Sequence, residues 1–568
     1  MRGRLLTIAS YLALSLLLQR RVLGDLTGSA AGRVPTDATG FTWWLAHGFG
    51  LVTDLQNFPT GVNALWNTSV PLLSILLGPV VHTAGATAAF NVGMILGPVV
   101  SGVAAAWSLQ GIVRSRLARA VAGGVYAFSP FVLAHWQAAH LNLVWAVLPP
   151  VLLGLAHRLF VREPTSPLLL GALTGLALAL QAWLYTQTLA VGVLMLVVLA
   201  VVLAVRFPRR AVARLPDLLK SVAACLGVFA LVAGYPVYLV LAGPARPRAP
   251  IRSPDYGSAD LLNTLTPTWV TALRGATPTM QGNVGEQGGY LGLAVLLLAA
   301  ALVVVGGTRA RVTVVVGLVA WVLALGPRLY LGGEPLGVDL PWHLLLDVPL
   351  LAEIEPVRLQ VVVTLAAATL VGLALDRAAL PSSVIMGGSG PNALAEPRSA
   401  HDHQRWGWAV LVLLVLVFWL PADAQRTTPA PAQARPSLAG QVVETWPRIT
   451  SRWYGGADPL RDQIASDFGY RLVGGYFIGA DPDHDVLLES AWNPYQQGAA
   501  WAELWPQLTG PADPQGAAAD LRARGVTVVL VTAPVPPAVL AWTRAVTGSA
   551  GEWRDGAWTF PLAATLQR

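Results

Sequence analysis

The stretch that decides the fold is TQTLAVGVLMLVVLAVVLAVRFPRR, Thr186–Arg210. No charged side chain occurs from 186 to 205, and this run is about as long as a helix must be to cross ~30 Å of hydrocarbon. Arginines follow it at once. Similar apolar runs recur along the 568 residues, of which only 12% are charged. The chain is therefore predicted to be a membrane protein and not a soluble enzyme.

The apolar runs predict about eleven transmembrane helices. They lie at 4–19, 86–109, 120–136, 138–160, 167–184, 186–205, 218–242, 289–306, 312–327, 357–376 and 406–421. A further apolar stretch, 70–85, is short and holds proline and His82, and we interpret it as not spanning. The start of the chain, MRGRLLTIASYLALSLLL, resembles a signal peptide, but no small-residue cleavage site precedes QRR, so a retained first helix is predicted.

The arginines predict the orientation. A net charge of +7 would suggest nucleic acid in a soluble protein, but here most arginines lie in short loops between apolar runs, as the positive-inside rule expects. With a cytoplasmic N-terminus and no crossing by 70–85, the arginine-rich loops 114–119, 161–163, 206–210, 308–311 and 377–405 all fall inside. Segments 20–85, 244–287, 328–356 and everything after 422 then lie outside the cytoplasm, in a bacterial plasma membrane protein.

The composition changes after residue 422. Residues 423–440 form a Pro/Ala-rich linker, which separates a transmembrane domain, 1–422, from a C-terminal domain, 441–568. The latter contains a helix-like AAADLRARG, the strand VTVVLVTA and a strand pair, EWRDGAWTFPL, with an Asp-Gly turn. It is predicted to be an extracytoplasmic α/β domain, while the transmembrane part is all-α.

The stretch RVPTDATGFTWWLAHG, 33–48, lies in the first outer segment and contains a single carboxylate, Asp37. The aromatic run after it predicts a helix that lies on the bilayer surface. A carboxylate beside apolar surface loses hydration and gains basicity, which suits a general base that removes a proton from a hydroxyl. The alternative is that Asp37 caps the helix.

Other polar side chains cluster at the predicted outer ends of helices. AHWQAAHLNL, 134–143, places two histidines there, of which His140 enters the next span. A metal is possible, but no third ligand is close in sequence, and hydrogen bonding inside a cavity is favoured. Tyr185 and Gln187 stand at the next outer end, and Glu286 and Arg358 stand where loops re-enter the membrane.

The outer loop 243–262 concentrates arginines on the side where positive charge is disfavoured. Arg246, Arg248 and Arg252 precede Asp255 there. Such a cluster could hold a phosphate through charge-assisted hydrogen bonds, or it could be a solvated loop. The chain has one cysteine, Cys225, so an internal disulfide is excluded.

The order of these motifs resembles the GT-C superfamily of polytopic membrane glycosyltransferases, in an actinobacterial, largely uncharacterised branch. The resemblance covers nearly the whole chain. It rests on the ordered set Asp37 before FTWWL, NFPTGVN, PLLSILLGPVVHTAGATAAFN, FSPFVLAHWQAAHLNL, YPVYLVLAGPARPRAP, GEQGGYLGLAVLL, ALGPRLYLGG, LPWHLLLDVPLLAEIEPVRL and VGGYFIGADP.

The resemblance implies a polyprenyl-phosphate sugar donor and transfer outside the cytoplasm. It makes Asp37 the catalytic base, with Asp54 as fallback, and assigns donor-phosphate contacts to the outer-loop arginines and Arg358. The predicted substrate-binding residues are Asp54, His140, Tyr185, Gln187, Arg246, Arg252, Asp255, Glu286 and Arg358. One departure is that Thr186 and Gln187 are neutral where relatives often carry an acid, which leaves a divalent metal possible but assigns it no ligand.

The predicted function is therefore membrane glycosyl transfer to an extracytoplasmic acceptor, which could be a cell-envelope glycan, a lipid or a protein. Two alternatives stay open: a lipid or glycan transporter or flippase, and a non-catalytic GT-C-like scaffold in envelope biogenesis. Transporters place polar residues near the bilayer midplane, often in repeated halves. Here ionisable residues gather at one face and no repeat is visible, which favours chemistry at a surface.

Overall fold

The computed structural model describes residues 2–161, 166–276, 278–283, 285–348, 351–379, 398–428, 432–446, 458–489, 513–532 and 537–563. Most of the predicted loop 377–405 and part of the predicted linker lie outside these residues. The chain divides into two compact units. We call them the helical unit (Met1–Gly24, Gly93–Gly234, Arg252–Gln425) and the sheet unit (Asp25–Val92, Tyr235–Ile251, Arg426–Arg568).

The described helices are α1 Arg2–Leu18, α2 Arg20–Leu23, α3 Pro35–His47, α4 Pro71–Ala84, α5 Ala86–Ser108, α6 Arg116–Ala127, α7 Pro130–Gln137, α8 Leu141–Val144, α9 Leu148–Val161, α10 Pro167–Ala182, α11 Thr186–Arg206, α12 Pro208–Ala242, α13 Gly292–Val305, α14 Gly307–Ala324, α15 Gln360–Ala379, α16 Arg398–Phe418, α17 Pro459–Ala465, α18 Pro514–Ala523 and α19 Pro537–Thr547.

The described strands are β1 Ala30–Ala31, β2 Val52–Thr53, β3 Val62–Asn63, β4 Arg328–Leu331, β5 Glu334–Asp339, β6 Arg426–Thr427, β7 Val442–Trp446, β8 Arg471–Leu472, β9 Phe477–Gly479, β10 Leu487–Glu489, β11 Val528–Thr532, β12 Glu552–Arg554 and β13 Ala557–Pro561.

Seven helical segments of the described chain are long and apolar enough to cross a membrane. They are Ala86–Ser108, Arg116–Gln137, Leu141–Val161, Thr186–Arg206, Pro208–Ala242, Gly307–Ala324 and Pro356–Ala379. Three more predicted segments fall on the shorter apolar helices Pro167–Ala182, Gly292–Val305 and Trp406–Phe418, and 4–19 falls on α1. The chain is thus mostly helical, and the number of about eleven spans stays a prediction.

Several predicted helix boundaries shift for local reasons. The predicted loop 206–210 is a turn at Phe207, because Pro208 begins α12; proline suits a first helical turn, which needs no donor there. The predicted span 120–136 is interrupted between α6 and α7, where the Ser129 side chain accepts a hydrogen bond from the Val132 amide. The stretch 70–85 forms α4, whose 14 residues are fewer than the roughly 20 that a span needs.

Helix α15 is the centre of the helical unit. It packs against α6, α13, α14 and α16, and its buried side chains run without a break from Gln360 to Ala374. A helix that is apolar all round is one that other helices surround. The four-residue 3₁₀ turn Pro356–Leu359 leads directly into it, so α15 fixes the position of Arg358 in that turn.

The sheet unit is built on a five-stranded sheet of order β12-β13-β11-β7-β8. Strand β11 pairs parallel with β7 and antiparallel with β13. All five of its residues are buried: Val528 and Leu530 pack on one face and Val529 and Val531 on the other, as the period of two in a strand requires.

Three local predictions for this region are confirmed. VTVVLVTA contains β11, AAADLRARG contains the end of α18, and the Asp-Gly pair turns the hairpin between β12 and β13. Asp555 and Gly556 both have positive φ, 48° and 74°, which is the backbone of a tight hairpin turn. The proposed domain limits stay a prediction, since the compact sheet unit also draws on two earlier parts of the chain.

A helix, α3, does form around and after Asp37. The prediction that this helix lies on the bilayer surface is wrong. Trp43 and Trp44 of α3 are almost fully buried in the apolar core on one face of the β-sheet. Their rings meet edge to face at 4.9 Å, and Nε1 of Trp43 donates to Oε1 of Gln463 over 2.7 Å. Aromatic side chains with a polar edge suit a protein core as well as a bilayer interface, provided that the edge finds a partner.

Candidate functional site

Asp37 lies in the first turn of α3, in the sheet unit. The helix begins at Pro35, and Val34 occupies the cap position without a side-chain hydrogen bond. The alternative prediction, that Asp37 is the N-cap residue, is therefore wrong. As a carboxylate in the first turn, Asp37 still interacts favourably with the helix dipole. Oδ1 of Asp37 accepts a hydrogen bond from the hydroxyl of Tyr476 over 2.5 Å, and both side chains are half-buried.

Asp54, the fallback base, has a different setting in the same unit. Its Oδ2 forms an ion pair with Nε of Arg471 at 2.8 Å, and both side chains are more than 40% exposed. A surface pair of this kind contributes between 0 and about 1 kcal/mol. Asp54 is thus a solvated carboxylate that pairs with an arginine at the surface.

Two predicted loop arginines also belong to the sheet unit. Arg248 binds the turn 481–485: Nε donates to Oδ1 of Asp485 over 2.8 Å, and Nη2 donates to the carbonyl of Asp481 over 2.7 Å. The acidic DPDHD sequence is therefore a turn that holds Arg248. Arg246 donates only weakly, over 3.5 Å, to the carbonyl of Pro247. Arg246 is the better placed of the two to meet an anion.

Most of the other predicted site residues meet in the helical unit, around Arg358. Its Nη2 contacts Oε1 of Glu286 at 3.0 Å and Oε2 of Glu355 at 2.5 Å. Glu355 also forms an ion pair with Arg252. We call Arg252, Glu286, Glu355 and Arg358 the ion network. It contains two guanidinium groups and two carboxylates, so its charges balance.

Two histidines, His135 and His140, adjoin the ion network. Nη1 of Arg358 lies 3.2 Å from both ring nitrogens of His135, and Nδ1 of His135 lies 3.0 Å from Nδ1 of His140. A guanidinium at this distance repels a cation. In the part of the chain that the structure describes, no three His, Cys, Asp or Glu side chains are grouped so as to hold a metal ion. Hydrogen bonding within a polar cluster is therefore the better interpretation of the two histidines.

The network perturbs its titratable groups. Burial raises the pKa of Glu286, and the charge of Arg358 opposes this. Burial acts in the same direction on Glu355, but Arg358 and Arg252 together bring its pKa below the usual value. Burial of Tyr185 raises its pKa to about 12. Both carboxylates are thus held by arginine, and Glu286 is the more basic of the two.

Two polar atoms of the ion network are available to bind a ligand. Among the described residues none hydrogen-bonds Oε2 of Glu286 or Nε of Arg358, although both atoms are buried. Nearby, Gln187 donates from Nε2 to the carbonyl of Glu353 over 3.0 Å. Asp255 lies apart from Arg358 and contacts Arg328 at 3.5 Å. A carboxylate oxygen beside a guanidinium N–H can bind a hydroxyl group, which both donates and accepts.

An apolar cavity lies among the helices of the same unit. Its lining includes Leu152, Gly192, Met195, Val316, Val362 and Ala366, from α9, α11, α14 and α15. Val362 follows Arg358 by four residues, or roughly 6 Å along a helix. Tyr185 directly precedes α11, which supplies four of the lining residues. Along the chain, Arg358 of the ion network therefore lies about one helical turn before the first lining residue of α15.

Sequence reasoning missed three residues of these two sites. Glu355 precedes Arg358 by three residues in EPVR, a spacing at which side chains in one turn can pair, so a local signal existed. Tyr476 stands in the motif VGGYFIGADP, but nothing in that motif indicates Asp37 as its partner. Asp458 is nine-tenths or more buried, and its sequence, ADPLRD, indicates no more than a helix cap.

Asp458 makes the sheet unit sensitive to pH. Its side chain accepts hydrogen bonds from the amides of Leu460 and Arg461 and from Oγ1 of Thr39, the last over 2.9 Å. Burial raises the pKa of Asp458 to about 7, although the Thr39 bond opposes the shift. Because an unfolded aspartate titrates near pH ~4, the folded state holds this proton more tightly. Its contribution to stability is complete below that pH and is lost as pH rises through about 7.

We therefore expect Asp458→Asn to reduce the pH dependence of unfolding. Asparagine caps a helix about as well as aspartate but does not ionise. Between pH 5 and pH 8 the thermal unfolding midpoint of the parent should fall further than that of the variant. The corresponding extra loss in the free energy of unfolding is on the order of a few kcal/mol. Equal slopes in the two proteins would show that Asp458 is ionised in the fold throughout this range.

Comparisons with known proteins place the chain among GT-C glycosyltransferases by fold. Residues 36–348 match the family model described as "Domain of unknown function (DUF6311)". No curated protein sequence matches the chain. Among solved structures it is similar to the arabinofuranosyltransferase AftD from Mycobacteria, with TM-score 0.54 and 15% identity over 98% of this chain. This chain spans 40% of the length of AftD.

Two other structures show weaker likeness. The archaeal oligosaccharyltransferase AglB from Archaeoglobus fulgidus, in complex with an inhibitory peptide and a dolichol-phosphate, gives TM-score 0.47 and 12% identity, covering 99% of this chain and 75% of its own. ArnT from Cupriavidus metallidurans, bound to undecaprenyl phosphate, gives 0.40 and 11%, covering 98% of each chain. The likeness to AftD, a GT-C glycosyltransferase, confirms at the level of the fold the resemblance predicted from the sequence.

Proposed function

Because the chain belongs to the family described as "Domain of unknown function (DUF6311)", we propose its function from its own residues and its fold. It is a membrane glycosyltransferase of GT-C type, which moves a sugar from a polyprenyl-phosphate donor to an acceptor outside the cytoplasm. Asp37 is the general base. In the reaction the bond from the anomeric carbon to the phosphate oxygen breaks, a bond to the acceptor oxygen forms, Asp37 takes the hydroxyl proton, and polyprenyl phosphate leaves.

The observation that carries this proposal is the setting of Asp37. It is half-buried at the start of a helix, and its carboxylate accepts a hydrogen bond from the Tyr476 hydroxyl. The other candidate acid, Asp54, is 48% exposed and pairs with Arg471 at the surface. Of the two candidate bases, Asp37 is thus the better suited to take a proton from a hydroxyl.

The helical unit supports a lipid-borne donor. The apolar cavity between α9, α11, α14 and α15 suits a prenyl chain, and the ion network, whose Arg358 precedes the lining residue Val362 by four positions, supplies hydrogen-bond donors for a polar head group. Because Arg252 and Arg358 are neutralised by carboxylates, we assign the network chiefly to neutral hydroxyl groups of the donor sugar. The predicted phosphate contacts of these arginines stay a prediction, with Arg246 as a further candidate.

The proposal includes the orientation that the arginines predict. The sheet unit and Asp37 then lie outside the cytoplasm, since the arginine-rich turns before α6, α12 and α14 belong inside. We expect a reporter fused after Arg568 to be active when the reporter works only outside the cytoplasm and silent when it works only inside. Activity of the cytoplasmic reporter alone would contradict the orientation and with it the site of transfer.

Transfer assays test the proposal against its alternatives. The chain is purified, reconstituted in liposomes and given a panel of radiolabelled polyprenyl-phosphate sugars with candidate envelope acceptors. The expected result is label in a product that is no longer extractable as lipid-linked donor. Movement of intact donor across the bilayer with no product would support the transporter alternative instead. Donor binding without glycosyl transfer and without movement of the donor would support the non-catalytic scaffold.

A further inference from the structure

Two sequence motifs that the proposed function leaves unused come together behind Asp37. They are QNFPTGVNALWN, 56–67, and VGGYFIGADP, 473–482. Tyr476, in the second motif, donates to Asp37. Its ring also covers the backbone of α3: a Cβ at Gly40, one turn after Asp37, would lie only 2.8 Å from Cδ1 of Tyr476. Gly40 therefore lets the ring lie flat enough on the helix for its hydroxyl to reach the carboxylate.

Amide side chains of the first motif hold the backbone on both sides of Tyr476. Oε1 of Gln56 accepts from the Tyr476 amide over 2.8 Å. Asn67 accepts from the Ile478 amide over 2.7 Å and donates to the Ile478 carbonyl over 2.9 Å. Gln56 and Asn67 are themselves buried. Three hydrogen bonds from two buried side chains thus fix this extended segment at positions 476 and 478.

Glycine at position 475 is a requirement of this arrangement. Gly475 has φ of 146°, and a Cβ there would lie 2.3 Å from Oε1 of Gln56. The backbone must therefore pass close to Gln56 for the amide of Tyr476 to be bound. Gln56, Asn67 and Gly475 thus define the backbone path that brings the Tyr476 hydroxyl to the Asp37 carboxylate.

We propose that Tyr476 is a positioning residue for Asp37, held by the amides of Gln56 and Asn67. The inference rests on the proposed function. The tyrosine hydrogen bond fixes the rotamer of the carboxylate and stabilises its ionised form, so that Asp37 is both aimed and charged when the acceptor hydroxyl arrives. As the proton moves to Asp37, the phenol stays neutral and keeps its own proton.

Several titratable or charged side chains of the described residues lie on α3 or on the elements packed against it. The helix packs against α4, α17 and β1. The titratable or charged side chains on these elements and on α3 itself are His82 on α4, Arg461 and Asp462 on α17, Asp458 at its cap, and His47 on α3; Arg33 precedes α3. Asp458 meets α3 at Thr39 and not at Asp37. Tyr476→Phe removes the hydroxyl that donates to Asp37 and leaves these other groups in place.

The test is Tyr476→Phe, with Tyr470→Phe as matched control. Tyr470 belongs to the same unit, but its hydroxyl donates to the carbonyl of Pro459 over 3.4 Å. We expect Tyr476→Phe to lower kcat tenfold or more with little change in KM, and to move the acidic limb of the pH–kcat profile to higher pH. Tyr470→Phe should keep the parent profile. A parent-like profile in Tyr476→Phe would overturn the inference.

A second readout does not need activity. Carbodiimide labels protonated carboxyl groups, and mass spectrometry of the intact full chain's peptides measures the labelled fraction of Asp37. At pH 6 we expect severalfold more label on Asp37 in Tyr476→Phe than in the parent and in Tyr470→Phe. Equal labelling in all three proteins would overturn the positioning role. If Tyr476→Phe gains label while the parent transfers no sugar, the proposed function is rejected and the contact between Tyr476 and Asp37 stands.

Discussion

Asp37→Asn is expected to leave a folded protein that transfers sugar at least ~100-fold more slowly than the parent, in line with the contribution of a general base. Asparagine is nearly isosteric with aspartate and can still accept the hydrogen bond of Tyr476. It cannot take a proton from a hydroxyl. Initial rates of transfer, measured with donor and acceptor saturating, give the effect on kcat.

The matched control is Asp54→Asn. It makes the same chemical change in the same unit, at a solvated carboxylate that pairs with Arg471. We expect its rate to stay within a fewfold of the parent. If Asp37→Asn transfers sugar like the parent while Asp54→Asn does not, the base is Asp54. If both are active, Glu286 is the next carboxylate to test.

The second large effect is on stability. Arg358→Ala removes the cation that pairs with Glu286 and Glu355 and leaves a buried carboxylate, Glu286, without a partner. Breaking a buried ion pair from one side costs about 3–5 kcal/mol. We expect a marked fall in the thermal unfolding midpoint in detergent, and loss of much of the monodisperse protein.

Arg328→Ala is the control for this change. Arg328 lies in the same unit but is more than half exposed, and it contacts Asp255 at 3.5 Å, so the expected cost is at most about 1 kcal/mol. The variant Arg358→Ala/Glu286→Gln should recover part of the lost stability, because it removes an uncompensated buried charge. Equal midpoints for Arg358→Ala and Arg328→Ala would contradict the buried ion network.

The sequence was informative wherever a structural choice depends on neighbouring residues. Apolar runs predicted the long helices, because a span needs a continuous apolar segment, and Asp555-Gly556 predicted a hairpin because a tight turn needs positive φ. Interruptions such as that at Ser129-Pro130 shifted the helix boundaries. Each of these features is decided within a few residues.

Features that join distant residues could not be predicted in this way. Tyr476 and Asp37 are separated by 439 positions, and no local pattern relates a tyrosine in one glycine-rich motif to a carboxylate in another. The same reason explains the error at Trp43 and Trp44. A sequence shows that an aromatic pair needs an apolar partner, but not whether lipid or a β-sheet provides it.

The most direct test of the central claim is a mass balance on one reaction of the purified chain with a polyprenyl-phosphate sugar and its acceptor. Glycosyl transfer predicts that free polyprenyl phosphate and glycosylated acceptor appear in equal amounts in the parent, and that both fall at least ~100-fold in Asp37→Asn. Polyprenyl phosphate that forms without any glycosylated acceptor, or equal amounts of product from the parent and Asp37→Asn, would contradict the account.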